Sequence, residues 1–224
     1  MDVNKYIQYR EGVIMKKDLI LIGAGGFAKS VIDSIDEKKY KIFGFIDDIK
    51  RGIHLGYPIL TNNLDSIEKK ENYCYFISIG DNKKRKKWFK KLEENRLEII
   101  NVIDKTAVIS KNVTLEKGIF VGKLAIINSD VRLGDNIVVN TKALLEHGVR
   151  VDSHSNISTN TTINGDVQIG QGSFIGSSSV INGQLRIGNN VMIGSGSVVI
   201  KDVEDNCVVA GVPAKLIRRK GNEE

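Results

Sequence analysis

From Ile109 onward every sixth residue is aliphatic. The series Ile109, Leu115, Val121, Ile127, Leu133, Val139, Leu145, Val151, Ile157, Ile163, Ile169, Ile175, Ile181, Ile187, Ile193 and Val199 has sixteen members and no insertion. The residue after each is usually small or polar (Gly122, Asn128, Gly134, Gly176), and the residue two before is small or β-branched (Ala125, Val131, Ser173, Ser179). A period of six fits neither a 3.6-residue helix nor an alternating strand. It fits a parallel β-helix, in which each hexapeptide supplies one short strand and one turn. Three hexapeptides close a coil, so 109–199 predicts about five coils with the aliphatic residues stacked inward in three columns. Gly and Asn are expected to take the positive-φ turn conformations. Such a solenoid leaves flat faces exposed, which predicts oligomerisation.

The first half alternates differently. An apolar run at 18–22 predicts a strand, followed by Gly23-Ala24-Gly25-Gly26-Phe27-Ala28 and a helix to about 37. Further strands are expected at 41–46, 73–79 and 97–103, with a charged helix over 83–95. Strands alternating with helices imply a parallel sheet with right-handed crossovers. Gly23-x-Gly25-x-x-Ala28 after a strand, with Asp47 and Asp48 about 24 positions on, matches the dinucleotide fingerprint. The glycines allow a tight turn and close approach of phosphate to a helix N-terminus. The unit is short, nearer one mononucleotide half than a full NAD domain. The expected organisation is an extension at 1–17, a Rossmann-like domain for a nucleotide-linked ligand at 18–104, a β-helix at 105–217 and a charged tail at 218–224.

Composition narrows the picture modestly. The 224 residues are 41% hydrophobic and 27% charged, which predicts a folded globular chain rather than a disordered one. Only about 6% are aromatic, as thin aliphatic layers require. The 22 Gly against two Pro disfavour collagen-like and Pro-rich classes. A net charge of +6 suits an anionic substrate without demanding nucleic acid. Cys74 and Cys207 have no metal-ligand spacing and read as reduced thiols; no metal is expected. No apolar run reaches the length of a membrane helix and no signal-peptide core precedes the first strand, so a cytoplasmic location without membrane association is expected.

The repeat resembles the left-handed β-helix of the hexapeptide acyltransferases, which generally work as trimers, and Gly211-Val212-Pro213-Ala214-Lys215 resembles the ending of that superfamily. Joined to the first half, the whole of 18–217 resembles the sugar acetyltransferases that include UDP-amino-sugar N-acetyltransferases and sialic acid O-acetyltransferases. The resemblance rests on Gly23–Ala28, Phe45-Ile46-Asp47-Asp48, Ile77–Asn82, Val139-Asn140-Thr141, Glu146-His147 and the tail. It implies acetyl-CoA as co-substrate and a homotrimer with active sites between subunits. It also implies an acceptor that is a nucleotide-activated amino sugar or sialic acid, in bacterial-type surface glycan synthesis. Carried over, Gly25, Gly26, Phe27, Asp47, Asp48 and Gly80 hold the nucleotide sugar; the family often has His where this chain has Phe27.

Acetyl transfer from a thioester needs a general base near neutral pKa and donors for the developing oxyanion. The chain has three histidines. His54 is expected in a loop over 52–57 and His154 at a surface turn. His147 follows inward-facing Leu145 by two residues, so it is expected to point outward from a coil corner. Steps of one whole coil place Lys111, Ser129, Gly165, Gly183 and Lys201 along the same corner. The two glycines would leave an open track, with the Gly165 N–H available to an oxyanion. By resemblance Glu146-His147 is the catalytic position, with Asn140 in the catalytic set. The acid that family members commonly carry directly after the histidine is Gly148 here, and their second histidine is Asn156. Glu146 is expected to point away. Asn156, Gly165, Ser177, Ser195 and Lys215 are the coenzyme A candidates, Lys215 as a point charge for phosphate.

Two rival readings compete with this one. The run Lys83-Lys84-Arg85-Lys86-Lys87-Trp88-Phe89-Lys90-Lys91 could suggest nucleic-acid binding. At helical spacing, however, Trp88 and Leu92 share one face and the lysines the other, which predicts a solvated amphipathic helix and no nucleic-acid partner. A non-catalytic trimeric scaffold that binds a nucleotide sugar is the other rival, and acetyl-CoA binding separates it from an enzyme.

Overall fold

The computed structural model describes residues 15–221, so most of the expected N-terminal extension and the last three residues of the tail lie outside the described residues. The first domain is a six-stranded sheet. Its elements are β1 (Lys17–Ile22), α1 (Gly26–Ser34), β2 (Tyr40–Ile46), β3 (Ile53–His54), β4 (Tyr57–Thr61), β5 (Cys74–Ile77), α2 (Asn82–Glu94) and β6 (Glu98–Ile99). The strand order is β3-β4-β2-β1-β5-β6, parallel throughout except for the β3–β4 pair. In β1, Leu19 to Ile22 are fully buried, as a central parallel strand covered on both faces demands. Sequence periodicity missed β3 and β4. They form a hairpin whose two central residues, Leu55 (φ 51°) and Gly56 (φ 84°), both have positive φ. Leu is an unusual choice at such a position, so no Asn-Gly signal marked the turn. His54 therefore belongs to a strand rather than a loop.

Helix α2 buries a face the basic run conceals. Asp81 caps it, its carboxylate accepting from the Lys84 N–H at 2.8 Å. Arg85, Phe89 and Leu92 are buried at i, i+4 and i+7, while Trp88 is only half-buried. Arg85 points inward rather than to solvent. It donates to the carbonyl oxygens of Ile79 and Gly80 and to Asn82 Oδ1 at 2.9–3.3 Å, and reaches Asn136, His154 and Ser155 carbonyls at 3.4 Å. Burial pushes its guanidinium down to about 10. The side chain fastens α2 to the second domain, with its donors spent mainly on backbone oxygens.

That second domain is a three-faced parallel β-helix that begins at Val102, one hexapeptide before the expected series. The first face stacks Val102–Ile103, Phe120–Val121, Val138–Val139, Asn156–Ile157, Phe174–Ile175, Met192–Ile193 and Cys207–Gly211, with Ala214–Arg219 returning antiparallel at its end. The second stacks Val108–Ile109, Ile126–Ile127, Leu144–Leu145, Thr162–Ile163, Val180–Ile181 and Val198–Val199. The third stacks Thr114–Leu115, Arg132–Leu133, Arg150–Val151, Gln168–Ile169 and Arg186–Ile187. Every third hexapeptide pairs in register with its counterpart one coil on, Leu145 with Ile163 and Ile163 with Ile181. The second residue of each strand points inward, and from Val121 to Val199 all are buried. Burying each such side chain contributes roughly 1.5–3 kcal/mol.

From Leu115 to Ile193 positive φ falls three residues after each inward aliphatic, at Gly118, Leu124, Asp130, Asn136, Lys142, Gly148, His154, Asn160 and onward to Gly196. The glycines directly after the aliphatics serve another purpose. A methyl group on Gly176 would come within 2.6 Å of the Ser195 N on the next coil, so Gly there permits close stacking of coils. The two domains share a core: Phe27 packs edge-on against Phe120 with ring centroids 5.0 Å apart, and Ser34 donates to Asp104 at 2.8 Å.

Candidate active site

In the first domain, α1 and β2 lie to one side of β1 and β5 to the other, so the strand order reverses between β1 and β5. Open α/β sheets bind ligands outside the carboxyl ends of the strands at such a reversal. A cavity of about 380 Å³ lies there, lined by Gly25, Gly26, Phe27, Asp47, Asp48 and Gly80 together with Gly23, Ser78, Ile79, Lys84 and Trp88. All six sequence-derived candidates meet in it. Gly23 is confined by its φ of 93° and by Ile79, whose Cγ1 lies 2.5 Å from where a Cβ would stand. Ser78 Oγ donates to the Gly23 carbonyl at 2.5 Å and binds the ends of β1 and β5 together.

The two acids do different work. Asp47 accepts from the N–H groups of Ala24 at 2.7 Å, Ile49 at 2.9 Å and Lys50 at 2.8 Å. Partial burial opposes its charge, but those N–H groups and the Lys50 cation hold its carboxyl below the usual range. It thus shapes the Gly-rich turn, with both carboxylate oxygens engaged. Asp48 is exposed, and its carboxylate makes no hydrogen bond or ion pair within the described residues, which leaves it to meet a ligand. Lys84 and Trp88, one helical turn apart on α2, were missed because the basic run hid which of its residues face the cavity. A hollow of about 630 Å³ continues from Gly80 past Asn82 and Lys86 to Phe174 and Met192 on the first face.

His147 stands at the corner between the second and third faces, 67% exposed. Contrary to expectation, Glu146 does not point away: its Oε2 lies 3.6 Å from His147 Nδ1. On the other side, Asp166 Oδ2 from the next coil lies 4.0 Å from Nε2. The ring covers Gly165, where a Cβ would fall 2.6 Å from Nε2. The Gly165 N–H makes no hydrogen bond within the described residues and remains available as a donor. Gly183 follows one coil further, so the bare strip begins there rather than at Gly165. Backbone without side chains beside a base and a spare N–H fits an extended thioester-bearing arm.

The other candidates lie elsewhere. Asn140, Ser177 and Ser195 fall at the corner between the first and second faces, across the second face from His147. Two hexapeptides carry the chain from Gly165 to Ser177 and so to a different corner, because only three return to the same one. Asn140 Oδ1 there accepts from the Thr141 N–H at 2.8 Å. Asn156 is buried on the first face between Val138 and Phe174, and its Oδ1 has no hydrogen-bond partner among the described residues. Lys215 is exposed on the returning strand. His154 is buried rather than at the surface, since α2 covers its corner; its Nδ1 lies 2.9 Å from Asn136 Nδ2 and its ring meets Phe89 edge-on. Burial, reinforced by Lys86 and Arg85, pushes its pKa down to about 4, so it is neutral where a base must work. Both cysteines are free and buried, and burial pushes the Cys74 thiol up to about 11. Among the described residues no group of three or more His, Cys, Asp or Glu could hold a metal ion, and no helix is long and apolar enough to cross a membrane.

Residues 18–92 match the family model described as the PglD N-terminal domain, and 166–201 match the bacterial transferase hexapeptide (six repeats). The acetyltransferase domain of PglB from Neisseria gonorrhoeae, solved with acetyl coenzyme A, is 28% identical with a TM-score of 0.86, covering 91% of this chain and 100% of that one. PerB from Caulobacter crescentus, solved with CoA and GDP-perosamine, is 29% identical with a TM-score of 0.82, covering 91% and 97%. An uncharacterized protein of Acanthamoeba polyphaga mimivirus is 36% identical over 102 residues, 46% of this chain and only 20% of that protein. Fold, domain order and both family models agree: the chain joins a PglD-type N-terminal domain to a transferase hexapeptide repeat, and over nine tenths of its length it is similar to the sugar acetyltransferase structures of PglB and PerB.

Proposed function

We propose that the chain is an acetyl-CoA-dependent N-acetyltransferase acting on a nucleotide-linked amino sugar, with His147 as general base. The observation that carries this is the His147 corner: Glu146 sits on Nδ1, and Nε2 faces Gly165 and its unspent N–H. Glu146 favours the tautomer with hydrogen on Nδ1, which leaves the Nε2 lone pair for the acceptor. The Gly165 N–H then faces the charge that develops on the carbonyl oxygen. PglB and PerB, solved with acetyl-CoA and with CoA plus a nucleotide amino sugar, support the same chemistry for this chain.

A homotrimer completes the site in this reading. The outward residues of the second face, Val108, Ile126, Leu144, Thr162, Val180 and Val198, form an apolar stripe, whereas the third face presents Arg132, Arg150, Gln168 and Arg186. Val108 is 60% exposed and Ile126 38%. His147 borders one edge of that stripe and Asn140, Ser177 and Ser195 the other. Packing the second face against neighbours would set the histidine of one subunit before the asparagine and serines of the next. It would also bring His147 toward a neighbour's hollow that runs from Gly80 to Phe174 and Met192 on the first face.

Thiol release from acetyl-CoA tests the proposal, measured with UDP- and GDP-linked amino sugars and with free sialic acid. Turnover with a nucleotide amino sugar is expected. Turnover confined to sialic acid would instead establish an O-acetyltransferase, and absence of acetyl-CoA binding would leave the scaffold.

A further inference from the structure

The position after His147 is Gly148, and the space a side chain there would take is already held by a carboxylate from the next coil. The Gly148 φ is 68°, and a Cβ on it would run into the Asp166 carboxylate, which fills the space from one coil further on. Asp166 is tied to the histidine twice. Its N–H donates to the His147 carbonyl at 2.9 Å, and its Oδ2 lies 4.0 Å from Nε2. The carboxylate has no other ion pair or hydrogen bond within the described residues, and it is 57% exposed. The imidazole is thus flanked by one carboxylate per nitrogen, and the one on the reacting nitrogen comes from Asp166.

We propose that Asp166 selects an amine over a hydroxyl acceptor by docking the incoming group as an ammonium ion. The inference rests on His147 as the base. An amine reaches the site largely protonated, because simple amines titrate near or above neutral pH, and a carboxylate beside the base binds that cation through charge-assisted hydrogen bonds. His147 Nε2 takes one proton, freeing the nitrogen lone pair. The C–N bond then forms at the thioester carbon, and the C–S bond breaks as the tetrahedral adduct collapses. Two protons leave the nitrogen in all. One passes from His147 to the departing sulfur, and the other goes to solvent. A hydroxyl acceptor brings no cation, and the negative charge that grows on its oxygen would face the Asp166 carboxylate at unfavourable cost. The third-face corner thereby carries acceptor selection in a side chain that the sequence neighbour of the histidine lacks.

Calorimetric binding in the presence of CoA tests this with two matched pairs, GDP-perosamine against GDP-rhamnose and UDP-glucosamine against UDP-glucose. The wild-type chain is expected to prefer the amine member of the pair it binds by tenfold or more. Asp166→Asn keeps the shape and tolerates the left-handed backbone, and is expected to bring the preference within threefold with hydroxyl-member affinity unchanged. The double variant Gly148→Asp with Asp166→Gly moves the acid without the clash and is expected to restore the preference. An undiminished preference in Asp166→Asn, or equal loss of both members, overturns the proposal. Turnover retained by His147→Ala would overturn the histidine reading instead, and binding of neither pair would overturn both.

Discussion

The imidazole of His147 lies across the α-carbon of Gly165, one coil further along the same corner, with Nε2 2.6 Å from where a Cβ would stand. Gly165→Ala must therefore move the ring, which is exposed and free to swing, rather than the packed coil. Stability should change little while the base loses its position. A fall in kcat/KM of about 100-fold is expected, since displacements near 1 Å cost that much. Steady-state kinetics beside a thermal melt would check it.

Asp47 gathers three N–H groups from both sides of the strand-end cavity, and hydrogen bonds to a charged acceptor are each worth about 1.5–3 kcal/mol. Asp47→Ala releases the Gly-rich turn. Nucleotide-sugar affinity should fall tenfold or more, while acetyl-CoA affinity stays unchanged. Titration calorimetry with each ligand separates the two.

His154 makes the fold acid-sensitive. Its pKa is about 4 when folded, against an ordinary 6.5, because burial disfavours the charged ring. Between those values the unfolded chain binds the proton and the folded chain does not, so stability falls as pH drops through that window and falls no further from this group below about 4. From pH 7 to pH 5 the loss is roughly 1–2 kcal/mol once solvent screening is allowed for. His154→Asn, suited to φ 68°, should be less stable at pH 7 but lose that increment of acid sensitivity. Urea unfolding at both pH values reads the difference.

The apolar second face predicts its own disruption. Ile126→Lys places a charge on the stripe without touching the coil interior, where Ile127 is the buried residue. Sedimentation should show a shift from trimer to monomer, with activity lost in parallel. A variant that stays trimeric would move the subunit interface to another face.

The β-helix was legible because its rule is local: one inward aliphatic per hexapeptide fixes strand, turn and coil together. That Gly25, Gly26, Phe27, Asp47, Asp48 and Gly80 would line one cavity was legible for a similar reason, since they follow the ends of strands and parallel strands end together. What escaped notice depended on neighbours distant in sequence. Arg85 looked solvated within a basic run until α2 met the 136 and 154 corners, and His154 was buried by the same contact. Asp166 stands a full coil beyond the histidine it flanks, a separation that acquires meaning only when one coil is laid on the next. Ser177 lies at a different corner from Gly165 because two hexapeptides do not complete a coil, and Asn156 lies on the first face rather than at a corner.

The proposed chemistry stands on His147 as the base. Thiol release from acetyl-CoA with a turned-over nucleotide amino sugar, compared between the wild-type chain and His147→Ala, tests it most directly. A loss of activity of about 100- to 10,000-fold, with subunit assembly and nucleotide-sugar binding unchanged, is the predicted result. Activity within tenfold of wild type would contradict it.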